Sequence, residues 1–140
     1  MEELEQIYMT DAPVAWQQLT TSLSEIGIDQ SNQQQLWRVL SGIYHLGNVQ
    51  FITDSREYSV IAPESESEST VRIIAELWGI DENTLIQRLT TKGIRIRQWP
   101  NTHQVLRASL TRDQAIANRD YIACGIYRLL FRYLVQKINE

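Results

Sequence analysis

One long helical pattern near the C-terminus constrains the fold more than any other feature of the sequence. The residues Thr111 to Gln114 have the T-x-x-Q form of a capping box, which predicts the start of a helix. No proline interrupts the segment from there to Ile138, and apolar residues recur every four positions. They are Ile122, Ile126, Leu130, Leu134 and Ile138. Such a helix is about 40 Å long at a rise of about 1.5 Å per residue. We therefore predict a C-terminal spine helix that buries this face from Ile122 to Leu134, with Gly125 marking a close contact with another helix.

Capping residues and apolar spacing predict four further helices. The first is expected to begin at Asp11, with Pro13 in its first turn, and the second to run from Asp29 or Ser31 to Gly47. The third contains Val71 to Trp78 and ends at Gly79, and the fourth begins at Asp81. Aspartate and serine favour the N-cap, proline is tolerated in the first turn, and glycine favours the C-terminal end. We expect the first two helices to form an antiparallel pair.

Between the helices, two segments show the alternation typical of strands. Residues Val49–Phe51 are expected to pair weakly with the stretch around Val60, and Glu64–Ser69 is expected to be a solvated loop. The segment 93–110 alternates over a longer distance around a turn at Pro100, which predicts a long hairpin. The predicted fold is mainly α, a single helical domain over residues 1–140 with one or two β-hairpin-like surface loops.

Composition and charge limit the possible environments and partners. The chain has one cysteine, Cys124, which excludes an internal disulfide and is typical of a reducing compartment such as the cytosol. We expect no signal peptide and no membrane span, because the apolar runs are shorter than the roughly 20 residues required. Residues 1–70 carry 11 acidic and 2 basic groups, and residues 71–140 carry 6 acidic and 11 basic groups. The basic half either attracts an acidic partner or complements the acidic half within the fold.

The sequence predicts no catalytic or metal site. Gly42 and Gly47 have the spacing of a phosphate loop, but the lysine and hydroxyl residue that grip phosphate are absent after Gly47. His45 and His103 lack neighbouring ligands at metal-binding spacing, so His45 is interpreted as structural rather than as a ligand. Cys124 is interpreted as a small core residue, with a reactive thiol as the alternative.

The four tryptophans differ in their expected surroundings. Trp16, Trp37 and Trp78 fall among apolar neighbours in helices and are predicted to be mostly in the core. Trp99 precedes Pro100 at the hairpin tip, where burial is harder. It either contacts another protein beside Arg95 and Arg97 or packs back on the domain.

Three blocks of the sequence, in order and suitably spaced, resemble myosin motor domains. They are LWRVLSGIYHLGNVQF from Leu36, VRIIAELWGIDENTLIQRL from Val71, and LTRDQAIANRDYIACGIYRLLFRYLVQKIN from Leu110. The first is similar to the helix that ends in an "ILHLGN" motif in that family. The third is similar to the "RDALAKALY…LF" helix that precedes the second switch. The resemblance extends from about Thr10 to Glu140.

This resemblance implies the upper part of an actin-binding cleft. Residues 52–70 would correspond to the surface segment called loop 4, and 93–110 to the cardiomyopathy loop. The residues expected to contact actin are Arg95, Arg97, Trp99, His103, Gln104 and Arg107. Gln104 falls where the family usually has an acidic or phosphorylatable residue, so this chain departs from the family pattern at that position.

The resemblance also implies where the chemistry of the motor resides. ATP and Mg²⁺ would be held by a phosphate loop and two switches outside this chain, so the chain itself is expected to hold no cofactor and not to be an enzyme. The expected partners are the actin filament and the rest of the motor, with self-association possible and neither nucleic acid nor membrane bound. The expected location is the cytoplasmic cytoskeleton. The alternative function is a freestanding helical interaction module without motor activity.

Overall fold

The computed structural model describes the backbone of residues 2–98 and 102–140 and the side chains of residues 11–94 and 105–140. This part of the chain forms five helices and two antiparallel strand pairs, which confirms the mainly α prediction. The helices are α1 (Glu2–Glu25), α2 (Gln30–Leu46), α3 (Glu66–Trp78), α4 (Glu82–Thr90) and α5 (Arg112–Ile138). The strands are β1 (Ile52–Thr53), β2 (Ser59–Val60), β3 (Thr91–Gln98) and β4 (Thr102–Ser109).

The chain divides into two compact units. The first combines the residues up to Trp37 with Leu130–Glu140, and the second is Arg38–Leu129. Among the described side chains of the first unit, three are buried and form a core, with five partly buried apolar residues packed around them. The buried three are Leu23, Ile28 and Leu36, and the surrounding five are Ile26, Trp37, Leu130, Tyr133 and Leu134.

The turn between α1 and α2 follows its local sequence. Gly27 adopts a φ of 84°, and the N–H of Ile28 donates to the carbonyl of Leu23 at 2.9 Å, which closes the end of α1. The side chain of Asp29 then accepts from the N–H of Asn32 at 2.8 Å and caps α2. The predicted bounds of α2 are confirmed.

The predicted start of α1 at Asp11 is wrong. The helix begins at Glu2 and contains Pro13 in its interior. Proline removes a single backbone hydrogen bond there, and the glutamate-rich sequence before it favours a helix strongly enough to continue through it. The predicted apolar face of α1 is also only partly buried, since Trp16 is 51% exposed and Leu19 45% exposed.

The core of the second unit gathers one side of α3, the end of α2 and the first turn of α5. Its buried members are Leu46, Val49, Phe51, Val71, Ile74, Ala75, Leu85, Leu89, Leu110 and Ala115. The predicted caps of α3 and α4 are confirmed: Gly79 ends α3 with a φ of 65°, and the Asp81 side chain accepts from the N–H of Thr84. Val49 and Phe51 are core residues and not strand residues, because the weak pairing lies one step later, at Ile52 and Thr53.

A close contact between α2 and α3 depends on Gly42. A Cβ at this position would lie 2.0 Å from Nε1 of Trp78, which itself donates to the carbonyl of Val39 at 3.3 Å. One turn away, the Arg38 guanidinium donates to the carbonyls of Glu76 and Leu77 at 2.8 and 3.1 Å. Both carbonyls lie in the last turn of α3. The Glu76 carbonyl also accepts from the N–H of Gly79 at 3.3 Å, so Arg38 adds to the hydrogen bonds that close this helix end.

The predicted loop over Glu64–Ser69 is instead mostly the first turn of α3. The Ser65 side chain accepts from the N–H of Glu68 at 3.2 Å, while the Glu68 carboxylate accepts from the N–H of Glu64 at 2.7 Å. Ser67 is buried and accepts from the N–H of Gln50 at 2.9 Å. The S-x-x-E sequence from Ser65 is a helix-start signal, and it overrides the polarity of the segment.

The extent of α5 and its capping box are confirmed, but its burial is not as predicted. The Thr111 N–H donates to the side-chain carbonyl of Gln114 at 3.0 Å, and the N–H of Gln114 donates back to the Thr111 hydroxyl at 3.4 Å. Ala115 is the buried residue of this helix, whereas Leu130 and Leu134 are half-buried. Several large apolar side chains of α5 are exposed, namely Tyr121, Tyr127, Leu129, Phe131, Val135 and Ile138.

The prediction for Gly125 is wrong. Nothing lies within 4 Å of the position that its Cβ would occupy, so no close helix contact requires a glycine there. Besides its apolar packing, α5 makes polar contacts nearer its start. Arg119 donates to the carbonyl of Val49 at 2.7 Å, and Asn118 donates to the carbonyls of Arg88 and Leu89 at the end of α4.

Candidate functional site

The candidate site is the hairpin formed by β3 and β4. The register pairs Thr91 with Ser109 and continues without interruption to Gln98 and Thr102, which confirms the predicted long hairpin. Its strands follow directly on α4 and lead directly into α5. The hairpin thus connects the end of α4 to the start of α5, both of which lie in the second unit.

The base of the hairpin is fixed by Leu110. This residue is 7% exposed and belongs to the core. Its N–H donates to the carbonyl of Thr90 at 2.9 Å, and its carbonyl accepts from the N–H of Ser59 at 2.8 Å. The second bond links the hairpin to β2, so the two predicted surface segments share one anchoring residue.

The described side chains of the hairpin include an apolar group exposed to solvent. Ile94 and Leu106 are paired across the strands and are 48% and 46% exposed, and Val105 is 57% exposed. Gly93 lies against Val105, whose Cγ1 would be 3.4 Å from a Cβ at that position. Directly opposed side chains on a two-stranded ribbon stabilise each other. The Ile94–Leu106 pair therefore stabilises the hairpin and also forms part of its exposed apolar surface.

The predicted site residues are distributed as follows. Arg107 is half-buried, and its guanidinium donates to the Thr91 hydroxyl at 3.2 Å. The backbones of Arg95, Arg97, His103 and Gln104 lie in the paired strands, where Arg97 pairs with His103 and Gln104 pairs with Ile96. Trp99 and the predicted turn at Pro100 lie outside the described residues.

The second surface segment is a tight turn between β1 and β2. The Asp54 carboxylate accepts from the backbone N–H groups of Tyr58 and Arg56 at 2.9 and 2.8 Å. The bond from Tyr58 is the main reason that the pKa of Asp54 is lowered, with smaller contributions from Arg56. Glu57 adopts a φ of 64°, and the Arg56 guanidinium lies 5.9 Å from the centroid of the Tyr58 ring.

The sequence prediction missed this turn and the exposed apolar pair. The signal for the turn was Asp54 followed by Ser55 and Arg56, because aspartate side chains commonly accept from the backbone two residues later. No comparable local signal marks Ile94 and Leu106. Alternation shows that such residues share a face, but it does not show whether another element covers that face.

The described residues contain no group of three or more histidine, cysteine or acidic side chains placed to bind a metal ion. His45 lies in the last turn of α2, with its ring 5.7 Å from that of Tyr44 in an edge-on arrangement. Cys124 is exposed and is not the core residue that was predicted, because α5 is covered less than expected. No helix in the described part of the chain is long and apolar enough to cross a membrane.

Comparison with known proteins decides the family. The model of the myosin head (motor domain) family matches residues 2–140. The chain belongs to the myosin motor-domain family. The match includes both surface segments and all five helices, and it confirms the resemblance that the three sequence blocks indicate.

Individual myosins are similar over most of the chain. "Myosin-15" of Arabidopsis thaliana is 33% identical over 115 residues, which cover 82% of this chain and 7% of that protein. Human "Unconventional myosin-XIX" is 33% identical over 119 residues, or 85% of this chain and 12% of that protein. Human "Unconventional myosin-VI" is 29% identical over 122 residues, or 87% and 9%. The chain therefore corresponds to about a tenth of the length of these relatives.

Proposed function

We propose that this chain supplies an actin-binding surface to a myosin motor, and that the β3–β4 hairpin makes the contact. The observation that carries the proposal is the charge composition of this hairpin, whose base is anchored in the core. Residues 93–110 contain Arg95, Arg97 and Arg107 and no acidic residue. Leu110 fixes the base of this hairpin in the core. A basic ribbon of this kind is complementary to actin, whose surface is acidic.

The exposed apolar group gives the hairpin a second means of contact. Charges at the rim of an interface accelerate and orient association, while a buried apolar centre supplies most of the affinity. Ile94 and Leu106 are each about half exposed and lie opposite one another, so a partner that covers them removes both from water. The predicted contact at Trp99 would add to this centre.

The alternative role for the hairpin arginines is to keep an exposed ribbon soluble and prevent pairing with other strands. The two roles differ in how they depend on position. An actin contact requires the charges on the hairpin, whereas solubility depends on charge anywhere on the surface.

The test is cosedimentation of the chain with filamentous actin over a series of salt concentrations. One double variant carries Arg95→Glu and Arg97→Glu in the hairpin. The control double variant carries the same charge reversals at Arg128 and Arg132, which are exposed on α5. The hairpin double variant should bind more weakly, with the largest difference at low salt, because screening removes the charge effect. Equal binding by the two double variants at every salt concentration would refute the proposal.

The same proposal places ATP hydrolysis, with its bound Mg²⁺, outside this chain and in the remainder of a cytoskeletal motor. In support, Gly42 lies within α2 against Trp78 and Gly47 follows that helix directly, so the two glycines do not form a phosphate-binding loop. The purified chain should neither bind nor hydrolyse ATP. Magnesium-dependent turnover that copurifies with the chain would contradict this. A chain without actin affinity would instead favour the freestanding interaction module.

A further inference from the structure

An open cavity of about 480 Å³ lies between α1 and the first half of α2. Two indole rings, those of Trp16 and Trp37, line it together with the side chains of Gln30, Gln33 and Gln34 and hydroxyl residues of α1. All of these residues lie within the first compact unit. The volume falls in the range of small-molecule sites, which is roughly 300–1,000 Å³.

Among the lining side chains that the structure describes, Gln33 is the one whose polar group is both buried and fixed. It is 5% exposed, and its Nε2 donates to the Ser24 hydroxyl at 2.9 Å and to the carbonyls of Thr20 and Ile28 at 3.0 Å each. A backbone carbonyl can only accept, so these partners determine which end of the amide faces them. The amide nitrogen is therefore fully used in holding α1 against α2.

The Oε1 atom of Gln33 accepts no hydrogen bond from the described part of the chain. This oxygen is not fully enclosed, so solvent reaches it, and water or a ligand can donate to it. Because Gln33 lines the cavity, a molecule bound there can donate to this oxygen.

The rest of the lining specifies a neutral, flat molecule. None of the described side chains that line the cavity is ionisable, so a charged ligand would find no counter-charge. The rings of Trp16 and Trp37 are in contact, with centroids 4.6 Å apart and planes tilted by 45°. Trp16 is 51% exposed, so part of its ring is available for stacking.

We propose that this cavity binds an uncharged, planar aromatic molecule that carries an N–H or O–H donor. Its ring stacks on the exposed indole of Trp16, and its donor bonds to Oε1 of Gln33. A sugar would also stack on an indole ring, but its many hydroxyl groups need several fixed polar partners. Gln30 and Gln34 are exposed and are not held by other side chains among the described residues, so they do not supply that framework.

Indole and 1-methylindole form a matched pair of probes, because they share a ring system and differ in the N–H donor. We titrate each into the ¹⁵N-labelled 140-residue chain and follow the backbone amides of α1 and α2 by NMR. Indole should shift signals around Trp16, Gln33 and Trp37, and 1-methylindole should bind about three- to tenfold more weakly. Equal affinities would overturn the role of Gln33. Shifts with D-glucose but not with indole would overturn the aromatic class.

A variant separates stacking from nonspecific association. Trp16→Leu removes the exposed ring and should weaken indole binding about three- to tenfold. Leu19→Ala changes a 45% exposed residue on the same helix that does not line the cavity, and it should leave binding unchanged. Thermal melting of both variants checks that each is folded. If both variants bind indole as the original chain does, the cavity is not the site.

Discussion

The backbone N–H of Ser59 donates to the carbonyl of Leu110 across 2.8 Å and so connects the bases of two surface segments that are far apart in sequence. Ser59 follows the turn at Asp54, and Leu110 directly follows the last residue of β4. Both residues are buried, at 4% and 7% exposure. A substitution at this junction should therefore destabilise both segments.

Replacing Leu110 by alanine should destabilise the junction. The side chain is buried in the core of the second unit, so its truncation should cost about 2–5 kcal/mol of the free energy of unfolding. Hydrogen exchange should accelerate at Ser59 and along the base of the hairpin together. The control is Leu106→Ala, which removes the same atoms from a 46% exposed position and should change the stability by less than about 0.5–1 kcal/mol. Similar costs for the two variants would argue against the anchor.

Gly42 and Gly125 should respond oppositely to alanine. At Gly42 the added methyl group would lie 2.0 Å from Nε1 of Trp78, which must move and lose its bond to Val39, at a cost of about 1–3 kcal/mol. At Gly125 there is open space in a helix interior, and alanine should stabilise the chain by up to about 1 kcal/mol. Chemical denaturation of both variants measures the difference. A stabilising effect at Gly42 would contradict the packing of Trp78.

These two glycines illustrate what the sequence can and cannot predict. Both lie in helices, and propensity alone gives them the same cost. The starts of α2 at Asp29, α4 at Asp81 and α5 at Thr111 are local events, in which one side chain bonds to the next turn, and all three were predictable. Which glycine meets a tryptophan depends on how α2 and α3 cross, and no residue near Gly42 in sequence reveals that.

The same limit explains the exposure of α5 and the site residues. Spacing identified Leu130 and Leu134 as one face of a helix, but the depth of burial depends on what packs there. The hairpin followed from alternation, whereas its anchoring to Ser59 depends on a partner some fifty residues earlier. The cavity at Gln33 had no sequence signal, because glutamine is common on exposed helix faces.

Leu130 and Leu129 are adjacent on α5 and test its orientation. Leu130 packs partly buried against the core of the first unit, whereas Leu129 is 62% exposed. Leu130→Ala should therefore cost about 1–2 kcal/mol, less than the roughly 2–5 kcal/mol of a fully buried leucine. Leu129→Ala should stay within about 0.5 kcal/mol. Thermal and denaturant unfolding of the pair check this, and a larger loss at Leu129 would show that the buried face is the other one.

The turn at Asp54 should titrate at acid pH. Its pKa is lowered in the folded chain, chiefly by the N–H of Tyr58, so the ionised form is favoured by folding. That stabilisation is present above the unfolded pKa of about 3.9 and is lost as the pH falls through the lower folded value. The Tyr58 amide signal, followed by NMR, should shift with a midpoint below about 3.9. The shift should disappear in Asp54→Asn, and a midpoint above that of a free aspartate would contradict the bond.

The last prediction concerns Gln104, which pairs with Ile96 in the hairpin. The family resemblance implies that an acidic or phosphorylatable residue usually stands here, so Gln104→Glu brings the chain nearer that pattern and should strengthen actin binding. Gln98→Glu is the matched control, because it makes the same charge change in the paired strand of the same hairpin. General electrostatics predict that either acidic residue weakens binding to an acidic filament. Strengthening by Gln104→Glu together with weakening by Gln98→Glu would therefore identify an effect of position. Cosedimentation with filamentous actin measures both, and equal weakening by the two variants would show that position 104 acts through its charge alone.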